Sequence, residues 1–267
     1  MKKFLFVFLS ILFTFTFITG CTSKENVKDT PLKVGVTAGP HEQIVEKVKE
    51  LSKEKGLDVE IVSFNDYTQP NVQVFEKQID INSFQHTPYL SKFNEDHKMD
   101  LVNVASTVNF PMGIYSNQLK SLDELKEGDK ISLPNDPTNE ARALILLQSA
   151  NIIKLKDSTD LNMTIADIVD NPKNIEFIEL DAPMVAHSLP DVSVAAINTN
   201  YAMQAGFNPV KDSIFIESKD SPWVNIIAAR PDNKDSEKVK QFIAIYQSEA
   251  IKKFIEETFD GSVVSGF

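Results

Sequence analysis

Arg142 is the residue with the most specific chemistry in this sequence. It lies in the stretch PNDPTNEARALILLQ and is one of two arginines, whereas lysines supply the remaining permanent positive charge. Asn139 is predicted to cap a helix that carries Arg142 in its first turn. A cation there opposes the helix dipole, at a cost of about 0.3–1 kcal/mol, unless an anion lies nearby. The pattern predicts an anionic neighbour, which is either a carboxylate close in sequence, Asp136 or Glu140, or a ligand.

Aromatic side chains accompany the ends of two strand-like runs. Phe64 and Tyr67 lie in FNDYTQPN, and SFQHTPYL contains Phe84, His86 and Tyr89. Ligands of open α/β sheets bind at the carboxyl ends of strands, so both segments lie where a cleft is expected. A single aromatic residue is more often part of a core than of a site. Their joint placement leaves the core and the ligand-contact interpretations both open.

No motif for catalysis is visible in the sequence. It contains no Gly-x-Ser-x-Gly elbow, P-loop or His-Glu-x-x-His, which favours a binding protein over an exported hydrolase. The histidines His41, His86, His97 and His187 could form a metal site with acidic residues. His97 lies in a charged turn and His41 opens a polar helix, so we expect both to be exposed. We therefore expect neither a metal nor another cofactor.

The elements that must position these residues alternate between strands and helices. LKVGVTA, DVEIVSF and IDINSF are strand-like, and the runs between them are helical. A second series of the same kind extends from KISLP to NYAMQAG. This alternation predicts parallel sheets covered by helices, and two series predict two lobes.

The carboxy-terminal part is predicted to return to the sheets. SIFIES and WVNIIAARP form a predicted strand pair, and SEKVKQFIAIYQSEAIKKFIEETF follows as a helix. Val239, Phe242, Ile243 and Tyr246 recur at helical spacing, which predicts a buried stripe.

The amino terminus is typical of an exported, lipid-anchored protein. Two lysines precede an apolar run that ends in ITGC, so residues 1–20 are predicted to be a signal peptide. Cys21, the single cysteine, is the predicted lipidation site, and residues 21–31 are a predicted flexible tether. These features predict an anchor in the cell membrane on its extracytoplasmic side. The alternative is a signal anchor followed by a buried free thiol.

The net charge of the chain argues against nucleic acid as a partner. The formal charge is −11, and no cluster of basic residues is interleaved with aromatics. We therefore expect no nucleic-acid binding.

Long motifs distributed along the chain resemble those of one family. They are FNDYTQPN, IDINSFQHTPYL, PNDPTNEARALILLQ, IVDNPKN, AAINTNYA and KDSPWVNIIAARPDNKD. They resemble motifs of the methionine-binding lipoprotein family, also called the NlpA lipoprotein family, whose members are substrate-binding components of ABC importers. The resemblance covers essentially the whole chain after the tether.

The resemblance implies an α/β, two-lobed type II periplasmic-binding-protein fold with the ligand cleft between the lobes. Lobe one is then expected at residues 32–115 and 214–267, and lobe two at residues 116–213. The family implies a monomer that delivers L-methionine to a membrane permease driven by an ATPase, and no enzymatic activity.

The resemblance also implies a role for each site residue. An aromatic box would hold the thioether, an arginine the carboxylate, and amides the remaining polar groups. The expected box residues are Tyr67, Phe84, His86 and Tyr89; Arg142 is the expected clamp, and Asn198 and Asn225 the expected amides. From the residues alone, Asn198 could simply form a turn, whereas Asn225 lies within a strand, where an amide is unfavourable.

Departures from the family pattern leave the ligand open. Phe110 stands where many members have tyrosine, and LDAPMVAHSLPDV differs from relatives after its acidic strand. D-Methionine and a methionine-containing dipeptide are therefore alternatives to L-methionine. A lipoprotein with a vestigial cleft that interacts through its surface is an alternative of another class.

Overall fold

The structure is a computed structural model that describes residues 30–157, 159–218 and 222–267. The predicted signal peptide at residues 1–20, Cys21 and the predicted tether as far as residue 29 lie outside the described residues. Residues Pro31–Phe267 form one compact unit. In the described part of the chain, no helix is both long enough and apolar enough to cross a bilayer.

The described residues form strands, helices and three short 3-10 turns. The strands are β1 (Leu32–Thr37), β2 (Val59–Phe64), β3 (Ile81–His86), β4 (Val102–Ser106), β5 (Val108–Asn109), β6 (Gly113–Tyr115), β7 (Lys130–Pro134), β8 (Lys154–Leu155), β9 (Ile168–Asp170), β10 (Glu176–Leu180), β11 (Val194–Ile197), β12 (Phe215–Ile216), β13 (Asn225–Ala229) and β14 (Val264–Ser265). The helices are α1 (Pro40–Glu54), α2 (Gln69–Phe75), α3 (Thr87–His97), α4 (Pro137–Ser149), α5 (Ala182–Val185), α6 (Thr199–Gln204), α7 (Pro209–Asp212), α8 (Glu237–Tyr246) and α9 (Glu249–Phe259). The 3-10 turns are Leu122–Glu124, Ile165–Asp167 and Ala186–Ser188.

Two five-stranded sheets form the two lobes, which confirms the predicted fold class. The first sheet has the order β2-β1-β3-β13-β4, and the second has the order β10-β7-β11-β6-β12. In the first sheet β1 is parallel to β2 and β3, and in the second β7 is parallel to β10 and β11. The predicted parallel strands are present, and β13 and β6, which are antiparallel to their neighbours, make both sheets mixed.

The antiparallel strands follow from the way the chain passes between the sheets. β13 begins at Asn225, which pairs with His86 at the end of β3. β6 begins at Gly113, which pairs with Ile197 at the end of β11. Each returning strand therefore enters its sheet at the edge where the parallel strands end. That edge is where ligands of α/β sheets bind.

The chain passes between the sheets twice, once between β5 and β6 and once between β12 and β13. SIFIES and WVNIIAARP therefore do not pair with each other: β12 pairs with β6 in the second sheet, and β13 lies in the first. The lobe boundaries at residues 115 and 214 stay a prediction. The strands that flank them, β6 and β12, both belong to the second sheet.

The predicted carboxy-terminal helix is two helices. α8 ends at Tyr246 and α9 begins at Glu249, because Ser248, at the N-cap position of α9, adopts an extended conformation with φ −87° and ψ 156° that interrupts the helix. Val239, Phe242 and Tyr246 are buried as predicted. Ile245 is also buried, whereas Ile243 is only half-buried.

The first lobe has its core between the sheet and the helices α1, α8 and α9. Phe242 is completely buried there, in a cluster that includes Val36 and Ile44. The second lobe has a separate core, in which Leu133 of β7 packs in one cluster with Leu144 of α4. Each sheet thus has its own apolar support, and the edge between the sheets is free to be polar.

We expect Phe242→Ala to lower the free energy of unfolding by about 3–5 kcal/mol, because it removes a fully buried ring and leaves a cavity. Urea unfolding of the part of the chain from Pro31 onward measures this. Phe75→Ala is the matched control: its ring is 41% exposed, so the loss should stay below about 1 kcal/mol. Equal losses for the two variants would contradict this description of the core.

Candidate functional site

A cavity lies between the two sheets and is lined by residues from both. All seven site residues predicted from the sequence line it: Tyr67, Phe84, His86, Tyr89, Arg142, Asn198 and Asn225. Six residues that were not predicted to bind ligand also line it: His41, Gln85, Phe110, Asn139, Thr199 and Asn200.

Three aromatic rings form one wall of the cavity. Tyr67 follows β2, Phe84 lies in β3 and Tyr89 lies in α3. Their ring centroids are separated by 5.8 Å, 5.9 Å and 6.0 Å, so each ring contacts the other two. The Tyr89 hydroxyl donates to the carbonyl oxygen of Tyr67 at 3.1 Å. The three rings are therefore held together in the first lobe, and their role with His86 as an aromatic box stays a prediction.

A buried network of amides links α2 to β3, the strand that carries Phe84. The side chains of Asn71 and Gln85 exchange hydrogen bonds of 2.8 Å and 2.6 Å. Asn82 donates to Asn71 Oδ1 at 2.8 Å and accepts from Gln85 at 2.9 Å. Since Asn71 lies in α2 and the other two in β3, the network fixes the helix that follows Tyr67 against the strand that carries Phe84.

Tyr67 also connects the aromatic box to the second lobe. Its hydroxyl donates to Asn200 Oδ1 of α6 at 2.6 Å, and its ring lies 5.0 Å from that of Tyr201. The Tyr201 hydroxyl in turn donates to the backbone oxygen of Asn65 at 3.2 Å. The box therefore lies between the lobes and is not buried within one of them.

The two histidines in the cavity are neutral. The pKa of His86 is lowered to about 3, mainly by burial. Burial also lowers the pKa of His41 to about 3. His86 Nδ1 accepts from the backbone N–H of Tyr89 at 3.1 Å, so its proton is on Nε2, which faces Asn139 Oδ1 at 3.4 Å. The cavity therefore carries no positive charge from histidine at neutral pH.

His41 is buried, so the prediction of an exposed His41 is wrong. Its ring is 4% exposed and lies 4.3 Å from that of Phe110. Its Nδ1 contacts Thr37 Oγ1 at 2.8 Å and its Nε2 accepts from Asn225 Nδ2 at 2.9 Å. The sequence contains a signal for this position: His41 comes just after β1, where a cleft residue is expected. His97 is exposed, as predicted, and stacks on Phe93.

Asn225 lies at the start of β13, where its amide joins several elements. Besides donating to His41, Nδ2 donates to the carbonyl oxygen of Phe84 at 3.1 Å. These contacts give this amide a reason to be in a strand. Its predicted contact with a ligand stays a prediction.

Two amide atoms in the cavity are buried without a hydrogen-bond partner among the described residues: Asn198 Oδ1 and Asn200 Nδ2. Asn139 Nδ2 donates to both oxygens of Asp136 at 3.0 Å, so Asn139 Oδ1 faces Asn198. Asn198 Nδ2 donates to it at 2.8 Å, which leaves Asn198 Oδ1 as a free acceptor. Leaving such groups unsatisfied is costly, so these two atoms mark where the cavity wall offers one acceptor and one donor.

The helix that carries Arg142 begins earlier than the sequence predicts. Asp136, not Asn139, is the cap, and its carboxylate accepts from the backbone N–H of Asn139 at 3.0 Å. Pro137 is the first helical residue, because its fixed φ suits that position. Arg142 therefore lies in the second turn, where the helix dipole acts weakly.

The anionic neighbour of Arg142 is Glu217, and not Asp136 or Glu140. Nε donates to Glu217 Oε1 at 2.8 Å and Nη2 donates to Oε2 at 2.6 Å. Nη2 also donates to the carbonyl oxygen of Phe110 at 2.7 Å. The guanidinium lies 5.4 Å from the ring centroid of Trp223, within the range of a cation–π contact. Glu217 is 75 residues away, so nothing in the local sequence could identify it.

Comparison with known proteins gives consistent results. A family model described as NlpA lipoprotein matches residues 32–267. The D-methionine-binding lipoprotein MetQ of Salmonella typhi is 48% identical over 254 residues, which are 94% of this chain and 93% of the relative. A solved nutrient binding protein from Burkholderia cenocepacia bound to methionine has a TM-score of 0.86 at 44% identity, over 88% of this chain and 100% of that one. An ABC transporter periplasmic substrate-binding protein from Coxiella burnetii has a TM-score of 0.85 at 40% identity, over 88% and 100%.

A second buried carboxyl group lies near the cavity without lining it. Glu140, also in α4, is 4% exposed, and its Oε1 accepts from the backbone N–H of Ile165 at 2.9 Å. Burial is the main cause that raises the pKa of Glu140 to about 7, and nearby carboxylates add to it. The neutral form of this side chain therefore fits the folded protein better than the charged form.

We expect the stability of the Glu140→Gln variant, compared with that of the native protein, to increase as the pH rises. The pKa of Glu140 is 4.5 in the reference state and about 7 in the fold. Its stabilising contribution is therefore complete below about pH 4.5 and is lost as the pH rises through about 7. Between pH 5 and pH 8 the difference in free energy of unfolding should shift in favour of the variant by about 1–3 kcal/mol. Urea unfolding at both pH values measures this, and a constant difference would contradict it.

Proposed function

This chain belongs to the NlpA lipoprotein family, and we propose that it captures L-methionine or a close derivative for an ABC importer. Membership confirms the resemblance carried by its motifs. The family consists of substrate-binding lipoproteins, so the protein is a membrane-associated binding protein and not an enzyme.

The observation that carries the proposal is the combination of groups in one cavity. The box of Tyr67, Phe84 and Tyr89 offers ring edges to a thioether, and each such contact contributes about 0.3–1.5 kcal/mol. Asn198 Oδ1 is a buried acceptor for an ammonium group. Arg142 and Asn200 Nδ2 are donors for a carboxylate. A free amino acid with a linear, sulfur-containing side chain satisfies all three requirements.

The names of the relatives support the same ligand. One relative is named for D-methionine, and one solved relative is bound to methionine. D-Methionine and a methionine-containing dipeptide place the same groups in a different arrangement, so both belong in the tests. The unpaired buried amide atoms argue against a vestigial cleft and against a role limited to surface interactions.

Capture between two lobes suits delivery to a membrane permease driven by an ATPase. Ligand that contacts both lobes stabilises the arrangement in which they are close together. Tyr67, His86 and Asn225 come from the first lobe, and Arg142 and Asn198 from the second. We propose that the protein acts as a monomer, because one chain supplies all of these groups.

We expect L-methionine to bind at least about tenfold more tightly than isoleucine or methionine amide. Isoleucine is β-branched and stiff, and the amide has lost its carboxylate. Calorimetric titration of the native protein, freed of bound ligand by mild unfolding and refolding, measures the affinities. Equal affinity for methionine, isoleucine and glutamine would contradict the assignment of the aromatic box. Tighter binding of D-methionine or of a dipeptide would keep the site and change the ligand.

We expect Cys21→Ala to move the protein from the membrane fraction to the soluble fraction without altering its affinity for ligand. Cys21 is the proposed lipid anchor, and every residue that lines the cavity lies beyond the tether. Fractionation of cells followed by calorimetry measures both properties. Retention in the membrane, or a loss of affinity larger than about tenfold, would contradict the proposed anchor and tether.

A further inference from the structure

Arg142 and Glu217 form an ion pair that is removed from solvent. Their side chains are 4% and 9% exposed, and Nη2 lies 2.6 Å from Oε2. A buried pair is stable only when further hydrogen bonds satisfy its remaining atoms. Those bonds are present: Glu217 Oε2 also accepts from the backbone N–H of Met112 at 2.9 Å, and Arg142 Nη2 donates to Phe110.

The pair lies where the chain passes between the lobes. Phe110 and Met112 belong to the first passage, between β5 and β6, and Glu217 belongs to the second, just after β12. The backbone N–H of Glu217 also donates to the carbonyl oxygen of Met112 at 3.0 Å. Both passages are therefore fixed to the same guanidinium group, and its orientation in the cavity depends on them.

These contacts leave one end of the guanidinium for a ligand. Nε and Nη2 are both engaged, whereas no hydrogen bond within the described residues uses Nη1. Arg142 nevertheless lines the cavity. A ligand carboxylate in the cavity thus meets an arginine that is already paired and held in place. The carboxylate cannot form the bidentate contact with Nε and Nη2 that an unpaired arginine offers, because Glu217 occupies both groups.

We propose that Glu217 is a positioning residue that aligns and neutralises Arg142, and thereby makes the cavity selective for a zwitterion. This inference rests on the proposed function and deepens it, because it identifies what selects the charge state of the ligand. A carboxylate that arrives without an ammonium group brings an uncompensated negative charge into a buried site, which is costly. An α-amino acid brings its own compensating charge, and Asn198 Oδ1 accepts from it.

The other ionisable groups that face Arg142 do not replace Glu217 in this role. His86 and His41 are neutral. The carboxyl group of Asp136 lies close enough to Arg142 to attract it but makes its hydrogen bonds to Thr138 and Asn139. With Glu217 in place, the charge of Arg142 is matched before ligand enters. Without Glu217, the guanidinium loses its ion-pair partner, and Asp136 acts on its charge only at longer range.

The test compares two ligands in calorimetry at pH 6: L-methionine, and the analogue in which hydrogen replaces the α-amino group. The analogue is an anion with the same side chain. For Glu217→Gln, methionine affinity should fall by about tenfold or more, because Arg142 loses its alignment. The preference for methionine over the analogue should fall by about fivefold or more, because the unmatched guanidinium favours the anion. A preference equal to that of the native protein would overturn the inference, since a purely structural role weakens both ligands alike.

Glu140→Gln is the control for replacing another buried glutamate, outside the cavity; because the pKa of Glu140 is about 7, this change removes little charge at pH 6. It should leave the preference within about twofold of the native value. A fall in preference as large as that in Glu217→Gln would also overturn the inference, because the effect would not be specific to Glu217.

A thermal melt shows whether Glu217→Gln folds. If it does not, Glu217→Asp tests the positioning role of Glu217 instead. Aspartate keeps the charge but cannot reach both Nε and Nη2, so methionine affinity should fall by about fivefold while the preference stays within about twofold. Unchanged affinity would overturn the inference. Failure of the proposed function is distinguishable from these outcomes, because the native protein would then not bind methionine before any variant is made.

Discussion

The buried pair between Arg142 and Glu217 is the interaction on which the cleft depends. A guanidinium beside aromatic rings is tolerated only if its charge is compensated and its N–H groups are hydrogen-bonded. Glu217 supplies the compensation, and the carbonyl oxygen of Phe110 accepts a further hydrogen bond. Phe110 and Glu217 lie in the two passages between the lobes. The contacts that satisfy the arginine therefore also fix where the two sheets meet.

Neutral polar groups complete the cleft without adding charge. His41 links Thr37 of β1 to Asn225 of β13, and Asn225 links in turn to the carbonyl oxygen of Phe84 in β3. His86 ends β3 and caps α3. Burial lowers the pKa of both histidines, so each ring acts as one donor and one acceptor. Three strands and a helix are therefore held at one edge by bonds that do not change with pH near neutrality.

Much of the fold and of the candidate site follows from local patterns. Strands that alternate with helices predict α/β lobes, and aromatic residues after strands predict a cleft, because successive parallel strands end at the same edge of a sheet. Tyr67, Phe84 and Tyr89 come together for this reason. The prediction that His41 is exposed fails because its helix looks polar on one face, although its place just after β1 indicates the cleft. The predicted pairing of β12 with β13 fails because their proximity in sequence conceals that they join different sheets.

The sequence by itself determined the helices and strands, the apolar faces through which they pack, and the residue types at the strand ends. These depend on interactions within a few residues, such as the carboxylate of Asp136 that caps α4. The tertiary structure alone decided which groups became partners. Arg142 needs an anion whichever way the chain folds, but the choice of Glu217 over Asp136 or Glu140 depends on two passages of the chain meeting in space. Charges separated by many residues pair only after the fold has brought them together, so no local pattern can specify that choice.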